Sequence, residues 1–524
     1  MGATVAKIMT RGPLPPKGSS EAKGPCSLEA WAAQVVSTTG DFELDNQIRE
    51  RKLASALGYS TSKKLWCPSV AEDLENAVFL LGDKCRGGPR LENILHSALW
   101  PLRMFLRVIG IIPYVYNEEK IEYTVKWWSP SGIHTLANAL YMTTLLITTT
   151  VGVIKMATTQ ELRGQSGSDD DNEDKNHQAI KLTGVILLSE CLVNAWAQTL
   201  NVIYAGKRMC KLLNRWNGLS VAAELDPVKG LRRRVVWQIF FVAVFASTIF
   251  VMTLVGHPKI VPLVLDGVAE GMLVVPKDWL AASPFLLKFI RVMTCLVCLH
   301  IFAIFKGSLF SFTTNCHMLK NGFNSWNAQL TKAIEDIWRR RGRPRGRLGV
   351  LVQSHYHLVR MVRETEIIFS PMLQCYYASS IVILCTELYL LAYRIGTQEY
   401  AADGVITTAL MTLQTTVVFV QVSLAAAAVQ EAAEDSLDIL RRGIPFDASE
   451  RDKFNKEELT TALTGATINI SGGKYFTINR PFIITVLSAV ITYFIVMIQF
   501  MQPGSKSETQ QSLNNTLETN VTSA

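Results

Sequence analysis

The chain has 524 residues and a formal net charge of +8, and 49% of its residues are hydrophobic while only 18% are charged. A soluble chain usually carries roughly 25% charged residues, and the mean hydropathy here is +0.20. These values exclude an ordinary soluble multidomain protein. Runs of about 20 apolar residues, the length that crosses a hydrocarbon core, recur along the chain. The composition therefore predicts an all-α, polytopic membrane protein.

The N-terminal part of the chain is polar and has no apolar core like that of a signal peptide. We predict that residues 1–90 form a cytoplasmic, partly disordered region. Residues 91–130 contain the run WPLRMFLRVIGIIPYVY, which is apolar but holds Arg103 and Arg107 and reaches Pro113. This pattern predicts a helix on the membrane surface that ends at Pro113, with both arginines reaching lipid headgroups.

Seven apolar segments follow, six of them within residues 131–430. The fourth segment is longer than a bilayer needs, so we expect its helix to continue into water. Residues 431–480 form a charged linker with an amphipathic helix predicted around 448–463. The predicted segments are 133–154, 179–205, 235–255, 285–313, 367–394, 404–429 and 481–501.

The start of the seventh segment carries local signals of its own. Asn479 is an expected N-cap, and Pro481 falls in the first helical turn, where a missing N–H has no cost. The preceding pair Gly472-Gly473 predicts a turn rather than a phosphate-binding loop.

Orientation follows from the basic residues, because short Lys- and Arg-rich loops stay in the cytoplasm. The stretch RRRGRPRGR, 339–347, lies between two predicted segments, so we interpret it as a cytoplasmic loop, with contact to anionic lipid as the alternative and no nucleic-acid partner. The connections 155–178 and 395–403 are acidic, and the first is disordered in character. Seven spans then place the N-terminus in the cytoplasm and the tail, 502–524, outside the cell.

Three glycosylation sequons test this orientation. Asn514 and Asn520 lie in the tail and are expected to be glycosylated. Asn469 lies on the cytoplasmic side by the same reasoning and is expected to stay bare.

Ionisable side chains inside spans cost about 2.5 to 3.5 kcal/mol at the centre, so each is a candidate site. We predict a ligand pocket open to the outside, lined by such groups and by aromatic walls. The alternative is that the cations only reach headgroups and that the glutamates bond to neighbouring helices; it is preferred for the cations and left even for the glutamates. The candidates are Glu190, Lys288, Arg291 and Glu387, with Trp196, Tyr389 and Tyr393 as aromatic walls.

No motif for hydrolysis or phosphoryl transfer occurs, so we expect no catalytic residue and no cofactor. Cys295 and Cys298 match CxxC, but they have no second pair and lie within an apolar segment. We interpret them as packing residues rather than metal ligands.

The seventh segment combines apolar residues with a weakly polar stripe. The stripe residues are spaced by three, four and seven positions and share one helical face: Thr485, Ser488, Thr492 and Gln499. Such a stripe lines a narrow water-filled path or packs on neighbouring helices, and the sequence leaves both open.

Residues 492–500, TYFIVMIQF, match without a gap the TYhhhhhQF signature that closes the last span of insect gustatory receptors. The preceding GGKYFTINRPFIITVLSAVI and the earlier WPLRMFLRVIGIIPY also resemble that family. The chain is thus identified by resemblance as a member of the insect gustatory receptor family.

The resemblance implies a ligand-gated, nonselective cation channel in the plasma membrane of a gustatory neuron, opened by a small-molecule tastant. It implies a homo- or heterotetramer with four copies of the last span around one pore. Gln499 and Phe500 would form the outer constriction, with Tyr493 behind it and Thr492 opening the motif. Sugar-type members commonly have Glu after the TY pair, and Phe494 stands there, which disfavours a sweet ligand.

Three other functions remain. The odorant-receptor branch of the same superfamily shares the expected architecture. A G-protein-coupled receptor requires an outside N-terminus, but there is no sequon before Asn469, no DRY motif after the third segment and no NPxxY in the seventh. A secondary transporter predicts inverted repeats and broken helices, which the sequence does not display.

Overall fold

The computed structural model describes residues 94–117, 122–164, 172–222, 225–255, 260–273, 275, 283–340, 347–397, 402–441, 443, 450–465 and 468–501. The chain divides after Pro89, and these residues all belong to the second unit, Arg90–Ala524. The predictions for residues 1–90, for the tail sequons and for the middle of the RRRGRPRGR stretch lie outside the described residues.

Ten helices and two short hairpins make up the described residues. The first helix and hairpin are α1 (Ile94–Val108), β1 (Tyr114–Asn117) and β2 (Glu122–Val125). They are followed by α2 (Pro130–Gly164), α3 (Asn172–Ala222), α4 (Leu231–Val255), α5 (Ile260–Gly271), α6 (Pro284–Arg340), α7 (Arg347–Thr397) and α8 (Ala402–Arg441). The chain continues through α9 (Glu450–Gly465), β3 (Ser471–Gly472), β4 (Phe476–Thr477) and α10 (Arg480–Met501).

Several of these helices are long and apolar enough to cross a bilayer, which makes the chain a multi-pass membrane protein. In the described part of the chain they are six: Pro130–Lys155, Gly184–Ser220, Pro284–Arg339, Leu348–Ala392, Thr408–Arg441 and Arg480–Gln499. The predicted third segment is helical as α4, but α4 is not among the six. A count of seven spans and the orientation of the termini therefore stay predictions.

Two helices run well beyond the spans that the sequence predicts. The fourth segment was expected to continue past Thr313, and α6 does so over 57 residues, which confirms that expectation. The acidic connection 155–178 was expected to be a disordered loop, but α2 continues to Gly164 and α3 begins at Asn172. The prediction is wrong for most of that connection.

The core lies where α3, α6, α7 and α8 pack on one another. Its largest fully buried side chains are aromatic and come mainly from α3, α6 and α7: Trp216, Phe312, Phe323, Trp326, Tyr376 and Tyr377. Such rings supply most of the buried apolar area of a helix bundle.

The predicted surface helix ends earlier than expected, and one of its arginines is not at the surface. The helix α1 stops at Val108, and Gly110 (φ 74°) turns the chain into the β1–β2 hairpin. Arg103 is 6% exposed, with its guanidinium 5.2 Å from the centre of the Tyr123 ring. The prediction that Arg103 reaches headgroups is therefore wrong, because its charge is held over aromatic rings. Burial and the charges of Arg103 and Arg107 lower the pKa of the neighbouring His96 to about 4.

The helix α5 was not predicted, and it packs against α2 with no side chain between the two backbones. A Cβ atom placed on Gly152 would lie 1.5 Å from the carbonyl oxygen of Gly271. Only glycine fits at that point of α2, because any side chain would overlap backbone atoms.

The linker before α10 has the elements that the sequence predicts. The helix expected around 448–463 is α9, which buries one row of side chains: Asp452, Asn455, Leu459 and Leu463. The turn expected at Gly472-Gly473 joins β3 to β4, with positive φ at Gly473 (61°) and Lys474 (65°). Both predictions are confirmed.

Candidate functional site

The first turn of α10 is fixed to the rest of the chain at two points. The backbone N–H of Phe482 donates a hydrogen bond to Oδ1 of Asn479 at 3.0 Å, which confirms Asn479 as the N-cap. Arg480 forms a two-point ion pair with Glu431 of α8, and its Nη2 lies 2.9 Å from Oε2 of that carboxylate. The base of α10 is thus tied to α8.

The β3–β4 hairpin ties the same base to α7. The hydroxyl of Ser471 donates to Glu366, and the backbone N–H of Gly473 donates to the hydroxyl of Ser370 at 2.7 Å. Both acceptors lie on α7, one helical turn apart. The hairpin is therefore docked on α7 by polar contacts immediately before α10 begins.

An aromatic cluster around Tyr377 joins α7, α8, the hairpin and α10. The rings of Phe476 and Phe482 stack with 4.9 Å between centroids, and both lie edge-on to Tyr377 at 5.4 and 5.3 Å. Tyr377 is also within hydrogen-bonding distance, 2.8 Å, of the Ser423 hydroxyl on α8. Aromatic pairs in this geometry add packing energy beyond their buried area. We call these four residues the Tyr377 cluster.

Beyond its base, α10 packs along one face and is open on the other. Ile483, Val486 and Val490 are buried, at a spacing that follows one helical face. The exposed face carries the polar stripe that the sequence singled out: Thr485, Ser488, Thr492 and Gln499. Within this one chain, the stripe is therefore not used for packing.

The signature residues at the far end of α10 share this exposure. Tyr493 is 45% exposed, and Gln499 is exposed as well. Phe500 belongs to the last turn of the helix, and its side chain lies outside the described side chains. A single chain thus offers these groups to a surface that it does not itself cover.

A second group of polar side chains lies inside the membrane-spanning bundle. Glu387 of α7 is only 7% exposed; its Oε1 accepts a hydrogen bond from Thr415 of α8 at 3.1 Å, while its Oε2 has no partner. Lys306 of α6 is 5% exposed, and its ammonium lies 5.1 and 5.0 Å from the ring centres of Phe302 and Phe305. The charges of Lys306 and Glu387 act on each other.

The helix α3 approaches the same group of residues. Cys191 interacts electrostatically with Lys306, Glu387 and its neighbour Glu190. We call Glu190, Lys306 and Glu387 the intramembrane charge cluster. The structure thus brings together the two glutamates that the sequence singled out.

Lys306 is the residue that the sequence reasoning missed. It lies within the predicted fourth segment, in the apolar stretch FAIFKGSLF. A lone lysine far from both ends of an apolar segment was the available signal, because such a charge has to be paired or to line a cavity.

The other predicted pocket residues lie in separate surroundings. Trp196 donates its indole N–H to the Thr143 hydroxyl of α2 at 3.0 Å. Arg291 makes a two-point ion pair with Asp266 of α5, at 2.8 and 2.6 Å, and Lys288 is exposed. Tyr389 is 38% exposed, and the side chain of Tyr393 lies outside the described side chains.

The cysteines of the CxxC pattern lie in the bundle, Cys295 buried and Cys298 half-buried. Among the described residues, no three His, Cys, Asp or Glu side chains are grouped so as to hold a metal ion.

Comparison with known proteins defines the class. The sequence pattern of the family described as 7tm Chemosensory receptor matches residues 99–502. The match covers the described bundle from α1 to the end of α10. The chain belongs to this family of chemosensory receptors.

Solved structures support the same fold. The olfactory receptor OR5 from the insect Machilis hrabei, with and without eugenol, is similar to this chain with a TM-score of 0.54 and 15% sequence identity. Each comparison covers 78% of this chain and 100% of that one. A search of curated proteins by sequence finds no match.

Proposed function

We propose that this chemosensory receptor is of the gustatory type and works as a ligand-gated, nonselective cation channel opened by a small-molecule tastant. The proposal includes a homo- or heterotetramer in the plasma membrane of a gustatory neuron. The observation that carries it is α10, which ends in TYFIVMIQF and leaves its polar stripe exposed.

Four copies of α10 around one axis give the open face a role. The hydroxyls of Thr485, Ser488 and Thr492 would line a water-filled path, and one helix per chain is enough under fourfold symmetry. A ring of Phe500 side chains closes such a path by excluding water. A ring of Gln499 amides coordinates a partly dehydrated cation without selecting one ion.

The ligand is proposed to act at the intramembrane charge cluster. Its groups are costly inside a bilayer, and Oε2 of Glu387 is buried without a hydrogen-bond partner. A ligand that binds them more tightly in the open state shifts the channel toward opening. Tyr377 lies ten residues from Glu387 on α7, so a shift of α7 reaches the base of α10 through the Tyr377 cluster.

An odorant-type channel is the second candidate, because the similar structures are olfactory receptors and one of them holds eugenol. The two candidates differ in the ligands to which they respond. Currents evoked by a panel of water-soluble compounds support the gustatory type, and responses only to volatile compounds support the odorant type.

The gate is tested by patch-clamp recording of cells that express the full chain. Gln499→Ala or Phe500→Ala is expected to change the resting current or the reversal potential in mixed cations, with surface expression unchanged. Ile484→Ala, an exposed position near the base of α10, is the matched control. Unchanged currents from both signature variants would remove the gate from α10.

The ligand site is tested separately in the same cells. Lys306→Met and Glu387→Gln are expected to abolish ligand-evoked current while the resting current stays. Lys288→Met, which removes an exposed lysine from the same helix, is the control. Evoked currents equal to those of the unmodified chain in both cluster variants would place the ligand elsewhere.

The proposed orientation is tested by endoglycosidase treatment of Asn514→Gln, Asn520→Gln and Asn469→Gln. Loss of a sugar-dependent mobility shift only in the tail variants is expected. Sugar on Asn469 would invert the topology and contradict the channel proposal.

A further inference from the structure

A small cavity lies between the segment after α1 and the helices α3, α6 and α7. Its volume is about 40 Å³, enough for one or two water molecules, each of which occupies about 30 Å³ in the liquid. Neither Lys306 nor Glu387 lines it, so it is separate from the intramembrane charge cluster. Gln198, which does line it, lies about 10 Å along α3 from Cys191, by the rise of an α-helix.

Two buried polar side chains border this cavity without partners of their own. Gln198 is 1% exposed, and neither its amide nitrogen nor its amide oxygen has a hydrogen-bond partner. Ser308 is 4% exposed, and its hydroxyl is likewise unpartnered. A third amide, that of Asn201, is already used, because it donates to the carbonyl oxygen of Ile368 at 2.9 Å. Unpaired polar groups inside a membrane protein are costly, so an occupant with a donor and an acceptor is favoured.

The rest of the lining determines what else the occupant carries. No charged side chain lines the cavity, which disfavours an ion. The walls are apolar and include Val202, Phe369, Met209 and Met372. The two methionines are unbranched and polarisable, and such side chains move aside readily for an apolar group. The lining therefore fits one hydroxyl attached to a short alkyl chain.

We propose that this cavity binds a short-chain alkanol, whose hydroxyl bonds to Gln198 and Ser308 and whose alkyl group lies against Val202, Phe369 and Met372. The hydroxyl is both donor and acceptor, so it satisfies both side chains at once. Binding connects α3, α6 and α7 at one point, and it makes the cavity a site at which small neutral amphiphiles stabilise the receptor. This proposal does not depend on channel activity.

The test is photolabelling of the purified full chain in lipid nanodiscs with a four-carbon alkanol that carries a diazirine. Illumination releases nitrogen, and the resulting carbene inserts into nearby bonds, so labelled peptides mark the occupied site. Adducts are expected on cavity residues of α3 and α7, and excess 1-butanol is expected to suppress them.

Variants then separate this cavity from the lipid-facing surface. Val202→Phe fills the space and is expected to abolish the competable adducts, whereas Leu200→Phe, at a 39% exposed position of the same helix, leaves them unchanged. Gln198→Leu and Ser308→Ala each remove a hydrogen-bonding group and are expected to weaken competition by 1-butanol roughly five- to tenfold. Monodisperse elution on size-exclusion chromatography checks that each variant folds, and Ser308→Ala, the smallest change, decides the matter if the others do not.

The opposite results are equally clear. Adducts confined to lipid-exposed residues, adducts that 1-butanol does not suppress, or equal competition in Ser308→Ala and the unmodified chain would overturn the proposal. The cavity would then hold water only.

Discussion

The two ends of α10 differ in how they are held. The base is fixed by the Asn479 cap, by the ion pair of Arg480 with Glu431 and by the stack of Phe482 on Phe476 beside Tyr377. At the far end, Val490 is the last buried residue, and the side chains that follow are mostly exposed. One helix thus combines an anchored start with an end that its own chain does not cover.

This difference separates two roles within a single element. The base receives whatever movement α7 and α8 undergo, because it is joined to both by polar and aromatic contacts. The far end is free to meet other copies of the chain, since few contacts within this chain restrain it. The contrast predicts that substitutions at the base destabilise the isolated chain, whereas those at the far end do not.

The largest effect is expected at Tyr377. Tyr377→Ala removes a fully buried ring and the contacts that join four elements, and should lower the free energy of unfolding by about 3 to 5 kcal/mol. Thermal unfolding of the detergent-solubilised protein measures the change. Tyr475→Ala, which removes an 80% exposed ring from the neighbouring hairpin, is the control. A comparable loss from both variants would show that the Tyr377 cluster is not the anchor.

An intermediate effect is expected at the cap of α10. Asn479→Ala leaves the N–H of Phe482 without its acceptor and should cost about 1 kcal/mol in the same unfolding measurement. Asn479→Ser keeps a capping oxygen and is expected to restore most of the loss. If serine does no better than alanine, the cap contributes nothing to the anchoring of the base.

The smallest effect is expected at the far end. Ile495 is 50% exposed, so Ile495→Ala should change the unfolding free energy of the solubilised single chain by no more than about 0.5 kcal/mol. Unfolding in dilute detergent, where copies are separated, measures this. A loss as large as that of Asn479→Ala would contradict the contrast, because it would mean that the far end is packed.

The sequence was a sufficient guide wherever local signals decide the structure. The start of α10 follows from an N-cap and a first-turn proline, and the turn before it follows from two glycines. The apolar runs locate the long helices because burial in lipid requires every backbone group to bond within its own helix. The continuation of α6 followed from its length alone.

The features that the sequence did not reveal depend on contacts between distant residues. The helix α5 is too short for a span and carries Asp266, whose acceptance of Arg291 becomes visible only in the folded chain. The burial of Arg103 depends on the β1–β2 hairpin, which places Tyr123 over it. Lys306 was visible in the sequence, but its relation to Glu387 depends on the packing of α6 on α7.

The length of α6 has a mechanical consequence. At 57 residues it is about 86 Å long, roughly 55 Å more than a hydrocarbon core of about 30 Å requires. The helix is therefore a lever whose longer arm lies beyond the hydrocarbon. A tilt of about 5° within the bilayer displaces the end of an arm of that length by roughly 5 Å, about one helical turn.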